Sequence, residues 1–85
     1  MNFIWQNKTR AVARQTSKID NSIYYSLCAY LEEDNDWHIY ISPLKFGEVL
    51  LLLIERNWIS LAESKKLKLD EIAYLESLDK IENNK

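Results

Sequence analysis

Few side chains in this 85-residue chain can carry chemistry: one cysteine, one histidine, and the four acids Glu32, Glu33, Asp34 and Asp36. A structural zinc site takes four Cys or His ligands, more than Cys28 and His38 can supply. The acidic run resembles a calcium loop in charge but lacks the ligand spacing and the glycine such a loop turns on. It reads instead as a solvated hairpin tip. Nucleophilic catalysis would draw on Cys28 and His38, which strand alternation places on one sheet face. Neither a helix N-terminus nor a basic cluster stands where it would lower the thiol pKa, and a small strand cysteine otherwise fills core space. The only glycine, Gly47, rules out a phosphate-cradling loop. Paired carboxylates for acid–base work need a cleft, which acids on a turn and on helix surfaces do not make. The residues point away from an enzyme and imply no catalytic residue, metal or cofactor.

The elements that must position these residues follow from the pattern of apolar and turn-forming positions. Ile23 to Leu31 and Trp37 to Ser42 are rich in Ile, Tyr, Leu and Trp, and the Asp/Asn cluster between them marks a hairpin with its turn at residues 33–36. Thr9 to Thr16 makes a further strand, with Lys18 to Ser22 as the turn after it. Phe3 to Trp5 either adds a short fourth strand or covers the core. Ser42 as N-cap and Pro43 as first helical residue start a helix that runs to Asn57. Its stripe is Phe46, Val49, Leu50, Leu53 and Ile54, with Leu51 and Leu52 widening it. Gly47 marks a close approach to the sheet. Ser60 and Glu63 form a capping box, and Asp70 caps a last helix over 71–82 with Ile72, Leu75, Leu78 and Ile81 on one face. The tail 82–85 frays.

The expected fold is therefore α+β in one domain over 1–85: a three-stranded antiparallel sheet, or four-stranded with Phe3 to Trp5, as a meander over 9–42. A main helix over 43–57 follows, and then a C-terminal segment over 61–82 of one or two shorter helices. Residues 60–75 also fit a helix-turn-helix loosely, but Asp70, Glu71 and Glu76 would face phosphate and be repelled.

Net charge is −2, which is not the basic footprint of a strong duplex-DNA binder. Residues 1–31 hold the basic side chains Lys8, Arg10, Arg14 and Lys18 against Asp20 alone, and the four acids of 32–36 follow directly. A basic end beside an acidic tip steers a small protein towards a charged partner, although such charges also serve solubility alone. One cysteine forms no intramolecular disulfide, residues 1–8 hold no apolar signal core, and the longest apolar run, Val49 to Ile54, is far short of the ~20 residues that span a bilayer. The expectation is a cytoplasmic protein with no membrane partner.

Strict alternation packs Leu27, Ala29, Leu31, Trp37, Ile39 and Ile41 on the first helix and turns Tyr24, Ser26, Cys28, Tyr30, His38, Tyr40 and Ser42 outward. With Thr9, Ala11 and Ala13 inward, Arg10, Val12 and Arg14 join that outer face. A Tyr-rich face with two arginines suits a protein interface, because these residues bury large area and carry polar ends. It also suits stacking of unpaired bases. The other outcome is a sheet whose outer face the later helices cover. The order of strands then helices is similar in arrangement to some phage anti-CRISPR proteins and bacterial immunity proteins, and to the strand-then-helix units of single-strand-binding folds. No motif identifies a family, and arrangement alone does not carry function.

The residues expected to meet a partner are Arg10, Arg14, Tyr24, Tyr30, Glu33, Asp34, Asp36, His38 and Tyr40. The reading favoured is an inhibitor or adaptor that binds a protein such as a nuclease, toxin or defence complex. Single-stranded nucleic acid is the alternative ligand, and a homodimer is compatible with the composition. The acidic tip separates the two: it assists a basic protein partner and hinders phosphate.

Overall fold

The computed structural model describes residues 2–83, with side chains through residue 79. Four strands, β1 (Asn2–Gln6), β2 (Arg10–Thr16), β3 (Ile23–Leu31) and β4 (Asp36–Leu44), pair antiparallel in sequence order, followed by helices α1 (Phe46–Glu55) and α2 (Leu61–Asn83). Each strand connection is built by short polar side chains. Asn7 Oδ1 accepts the backbone N–H groups of Thr9 and Arg10 at 2.9 and 2.7 Å, and Asp20 Oδ1 accepts the Ser22 N–H and hydroxyl. Asn21 and Asn35 take the left-handed conformation that asparagine tolerates, at φ 61° and 53°. The segment Phe3 to Trp5 is thus a true strand, and the 23–42 hairpin turns at residues 32–35.

The first helix starts later than the Ser-Pro pair suggests. Pairing of β4 persists to Leu44, opposite Tyr25, so Ser42 and Pro43 (joined by a cis peptide) belong to the strand. Lys45 is the N-cap, and its backbone N–H donates to Glu48 Oε1 at 2.9 Å. The helix ends where expected. Asn57 is left-handed at φ 58°, its N–H donates to the Ile54 carbonyl, and the Trp58 N–H donates to the Leu53 carbonyl, both at 3.0 Å. This is the paired bonding that closes a helix on a left-handed residue. The Ser60–Glu63 capping box is present, with both bonds at 3.1 Å. The helix it opens then runs unbroken through Asp70. Residues 64–76 contain no Gly or Pro and several strong helix formers, so nothing there ends it. A separate helix capped by Asp70 and a helix-turn-helix are both absent. The expectation for the Ile81 side chain falls outside the described side chains; of the tail 82–85 expected to fray, residues 82–83 continue the helix and 84–85 lie outside the described residues.

Both helices lie on one face of the sheet. The core there is Val12, Tyr25, Leu27, Leu44, Val49, Leu53 and Ile59, flanked by Ile4, Trp5, Ile41, Trp58 and Leu67. Leu53 is fully buried and Leu50 half-buried. Gly47 makes no close approach: a Cβ there would meet nothing within 4 Å.

Two features of register overturn the expected division of faces. Val12 pairs with Leu27, Arg10 with Ala29 and Arg14 with Tyr25, so Arg10, Val12 and Arg14 point to the helix side rather than outward. The reason is packing. Val12 is the one bulky apolar side chain of β2, and the helix layer takes it, sending Ala11 and Ala13 to the other face. In β4, Ile41 lies opposite Leu27 but Ile39 lies opposite Cys28, so one extra residue is inserted. That bulge reverses the alternation. Trp37 and Ile39 turn to the side away from the helices, while His38 falls opposite Ala29 on the helix side.

Candidate functional site

The sheet face away from the helices has its own small cluster. Ala11, Ala13 and Cys28 on the middle strands are buried beneath Phe3 and Trp37, which reach in from opposite edges of the sheet. The Phe3 and Trp37 rings meet edge-on at 5.2 Å, and Tyr30 meets Trp37 edge-on at 5.4 Å, a favourable aromatic arrangement. No helix residue belongs to this cluster. Ile39, opposite Cys28, is 47% exposed. Beyond the rings a polar chain crosses three strands. Tyr24 donates to Gln15 Oε1 at 3.4 Å, Gln15 donates to the Ser26 hydroxyl at 2.9 Å, and Ser26 shares a bond with Ser42 at 2.7 Å. The residues that the register assigns to this face in β2, β3 and β4 include no charged side chain.

The hairpin tip adjoins the face through Tyr30, whose hydroxyl donates to Asn35 Oδ1. Glu32, Glu33, Asp34 and Asp36 are all exposed there. Asp36 Oδ1 accepts the Trp37 N–H at 2.7 Å, and Asp34 contacts His38 Nε2 at 2.9 Å.

The helix side holds the two arginines expected on the outer face. Arg14 forms a two-pronged pair with Glu71 of α2, Nε to Oε2 at 2.8 Å and Nη2 to Oε1 at 2.6 Å. The pair is deeply placed, with side-chain exposures of 12% and 2%. Tyr25 donates its hydroxyl to Glu71 as well, and the Arg14 guanidinium lies 3.6 Å from the Tyr74 ring centre. The hydrogen bond that Arg14 donates to Glu71 keeps its guanidinium above its ordinary pKa against the opposing pull of burial. Burial pushes the Glu71 carboxyl up, but the bonds from Arg14 and Tyr25 outweigh it and hold the carboxyl below its ordinary value. Burial and the bond to Glu71 raise the Tyr25 phenol. This network fastens α2 to the sheet. Arg10 lies between the rings of Tyr40 and Trp58, 5.7 and 5.5 Å from their centres, and Arg56 stacks on Trp58 at 5.5 Å.

Of the nine expected partner residues, Tyr24 and Tyr30 stand on the open face and Glu33, Asp34 and Asp36 at the tip beside it. Arg10, Arg14, His38 and Tyr40 belong to the helix side. Phe3, Trp37 and Ile39 take their place on the open face, and alternation could not find them without the bulge. Cys28 and His38 are on opposite faces, so they form no pair, and burial pushes the Cys28 thiol up rather than towards a thiolate. Among the described residues no cluster of His, Cys, Asp or Glu could hold a metal ion, and no helix is long and apolar enough to cross a membrane. An open groove of 610 Å³ runs between the β2–β3 turn and the start of α1. Its one carboxylate on the turn, Asp20, is engaged by Ser22, whose bonds lower its pKa.

The chain matches no protein-family model, no curated protein and no solved structure.

Proposed function

We propose that this chain is a non-enzymatic binding protein that docks another protein through the open sheet face and the acidic tip, acting as an inhibitor or adaptor. The observation that carries this reading is an aromatic, uncharged sheet face that no helix covers, continuous with four exposed acids. Trp, Tyr and Phe are enriched at the centres of interfaces and charged residues are depleted there, which is the composition of this face. The acids supply a polar rim complementary to a basic protein surface. A nuclease or another nucleic-acid-handling protein of a toxin or defence system presents such a surface. The single-stranded nucleic-acid reading loses its support from Arg10 and Arg14. Neither stands beside Tyr24, Tyr30 or Trp37, and guanidiniums already lie against the rings of Tyr40, Trp58 and Tyr74.

The test uses the exposed Ile39. Wild type and Ile39→Asp are immobilised in parallel and exposed to lysate of the native host. Proteins retained by wild type and lost on Ile39→Asp, with unchanged thermal unfolding, support the reading. Equal retention by both baits overturns it. So does micromolar binding of wild type to a labelled single-stranded oligonucleotide that tightens when Glu33, Asp34 and Asp36 are changed to Lys.

A further inference from the structure

Arg10 and Arg14 stand four residues apart on the same face of β2, and their surroundings differ in one respect. Arg14 has an aromatic ring against its guanidinium and a carboxylate, Glu71, gripped by Nε and Nη2. Arg10 has two rings, Tyr40 and Trp58, and no carboxylate within ion-pair distance among the described residues. Its Nη1 donates to the Thr9 carbonyl at 2.9 Å, but its Nε is buried and finds no acceptor. An unmet donor on a largely buried cation is costly and calls for a reason. A second cation, Arg56, lies on the same Trp58 ring, also without a carboxylate in ion-pair distance among the described residues. Asp34 of the hairpin tip is engaged by His38.

We propose that Arg10, supported by Arg56, is a receptor for the carboxylate of an acidic peptide segment, held as Glu71 is held by Arg14. The rings fix the guanidinium plane, so little side-chain freedom is lost when a planar carboxylate meets the Nε edge. Tyr40, exposed and at the β4 bulge, forms the outer wall of the place. A carboxylate suits the place better than a phosphate. Glu71 on Arg14 shows the match on this same strand face, two oxygens of one planar carboxylate meeting Nε and Nη2. The site lies on the opposite face from the open aromatic surface and does not depend on that surface binding anything.

The experiment is a titration of the full ¹⁵N-labelled chain at low ionic strength with a hexaglutamate peptide and, separately, with inorganic phosphate. The Arg10 Nε–H and Trp58 indole N–H resonances are expected to move and saturate with hexaglutamate. Arg10→Lys keeps the charge and loses the fork, and should weaken binding about tenfold or more, the worth of one charge-assisted hydrogen bond. Arg56→Gln, at an exposed helix end, should weaken it severalfold and provides the test if Arg10→Lys does not fold. Lys18→Gln, in the β2–β3 turn, should leave it unchanged. Unmoved Arg10 and Trp58 resonances overturn the proposal. So do an Arg56→Gln variant that binds like wild type, an equal loss in Lys18→Gln, and saturation of Arg10 by phosphate but not by hexaglutamate.

Discussion

Replacing Glu71 by glutamine tests how α2 is held to the sheet. In wild type the Glu71 carboxylate is almost fully buried and receives two bonds from Arg14 and one from Tyr25. Glutamine keeps the shape but leaves the Arg14 cation, 12% exposed, without a counter-charge. Breaking a buried pair from one side costs about 3–5 kcal/mol. Glutamine still accepts from Arg14 and Tyr25 through its carbonyl oxygen, so the lower end, about 3 kcal/mol, is expected at pH 7. A chain of this length has a total stability of about 4–13 kcal/mol, so the loss is large and easily read by urea unfolding followed through tryptophan fluorescence. The pH dependence carries the sharper test. Because the folded Glu71 carboxyl is held below its ordinary value, the unfolded chain takes up this proton first as pH falls. The stability it contributes is complete above the unfolded pKa of about 4.3 and is lost as pH falls through the lower, folded value. The gap between wild type and Glu71→Gln should therefore be constant from pH 7 to about pH 5 and narrow below. Other carboxylates titrate in both proteins and cancel in the difference. A gap under about 1 kcal/mol at pH 7, or one unchanged down to pH 3, would refute the argument.

Leu53→Ala removes a fully buried side chain between α1 and the sheet and should cost about 2–5 kcal/mol in the same urea assay. Gly47→Ala should raise stability by about 0.5–1 kcal/mol, because the site is helical, exposed and open to a Cβ; a loss of stability would mean that the helix start is packed differently. Changing Glu33, Asp34 and Asp36 together to Lys should slow association with a basic partner, more at low salt than at high, as measured by stopped-flow or surface binding kinetics. An unchanged association rate would remove the tip from the interface.

The element types were legible because local chemistry and tertiary packing agree. The Glu-Glu-Asp-Asn-Asp run sits where the hairpin turns, Asn57 ends α1 in the left-handed conformation, and Ser60 with Glu63 opens α2. The start of α1 was not legible, since Ser-Pro reads as a cap whether or not a neighbouring strand still claims those residues. Pairing of Leu44 with Tyr25 decides it, and that contact spans 19 positions. The division of faces was hidden for the same kind of reason. Alternation is a local rule, and the β4 bulge that shifts it is set by how Ile39 and Ile41 fit against β3. The Arg14–Glu71 pair joins residues 57 positions apart and carries no local signature.

One clue to the faces did lie in the sequence, and it explains why the open surface exists. Ala11, Ala13, Ser26 and Cys28 occupy the centre of the two middle strands on the side away from the helices, between Gln15 and Tyr24 at one end and Tyr30 at the other. Side chains this small cannot make a second core by themselves. They leave room for Phe3 and Trp37 to lean inward from the edge strands and meet above them. The alanines, Ser26 and Cys28 are thereby fully buried without a covering helix, and the helices are free to pack entirely on the side of Val12 and Leu27. A sheet that meets its burial need with edge aromatics retains an accessible aromatic face on a chain of only 85 residues. Large side chains at 11, 13 and 28 would lift Phe3 and Trp37 apart and break that roof. The small middle-strand residues and the large edge aromatics are thus one device, and the open surface follows from it.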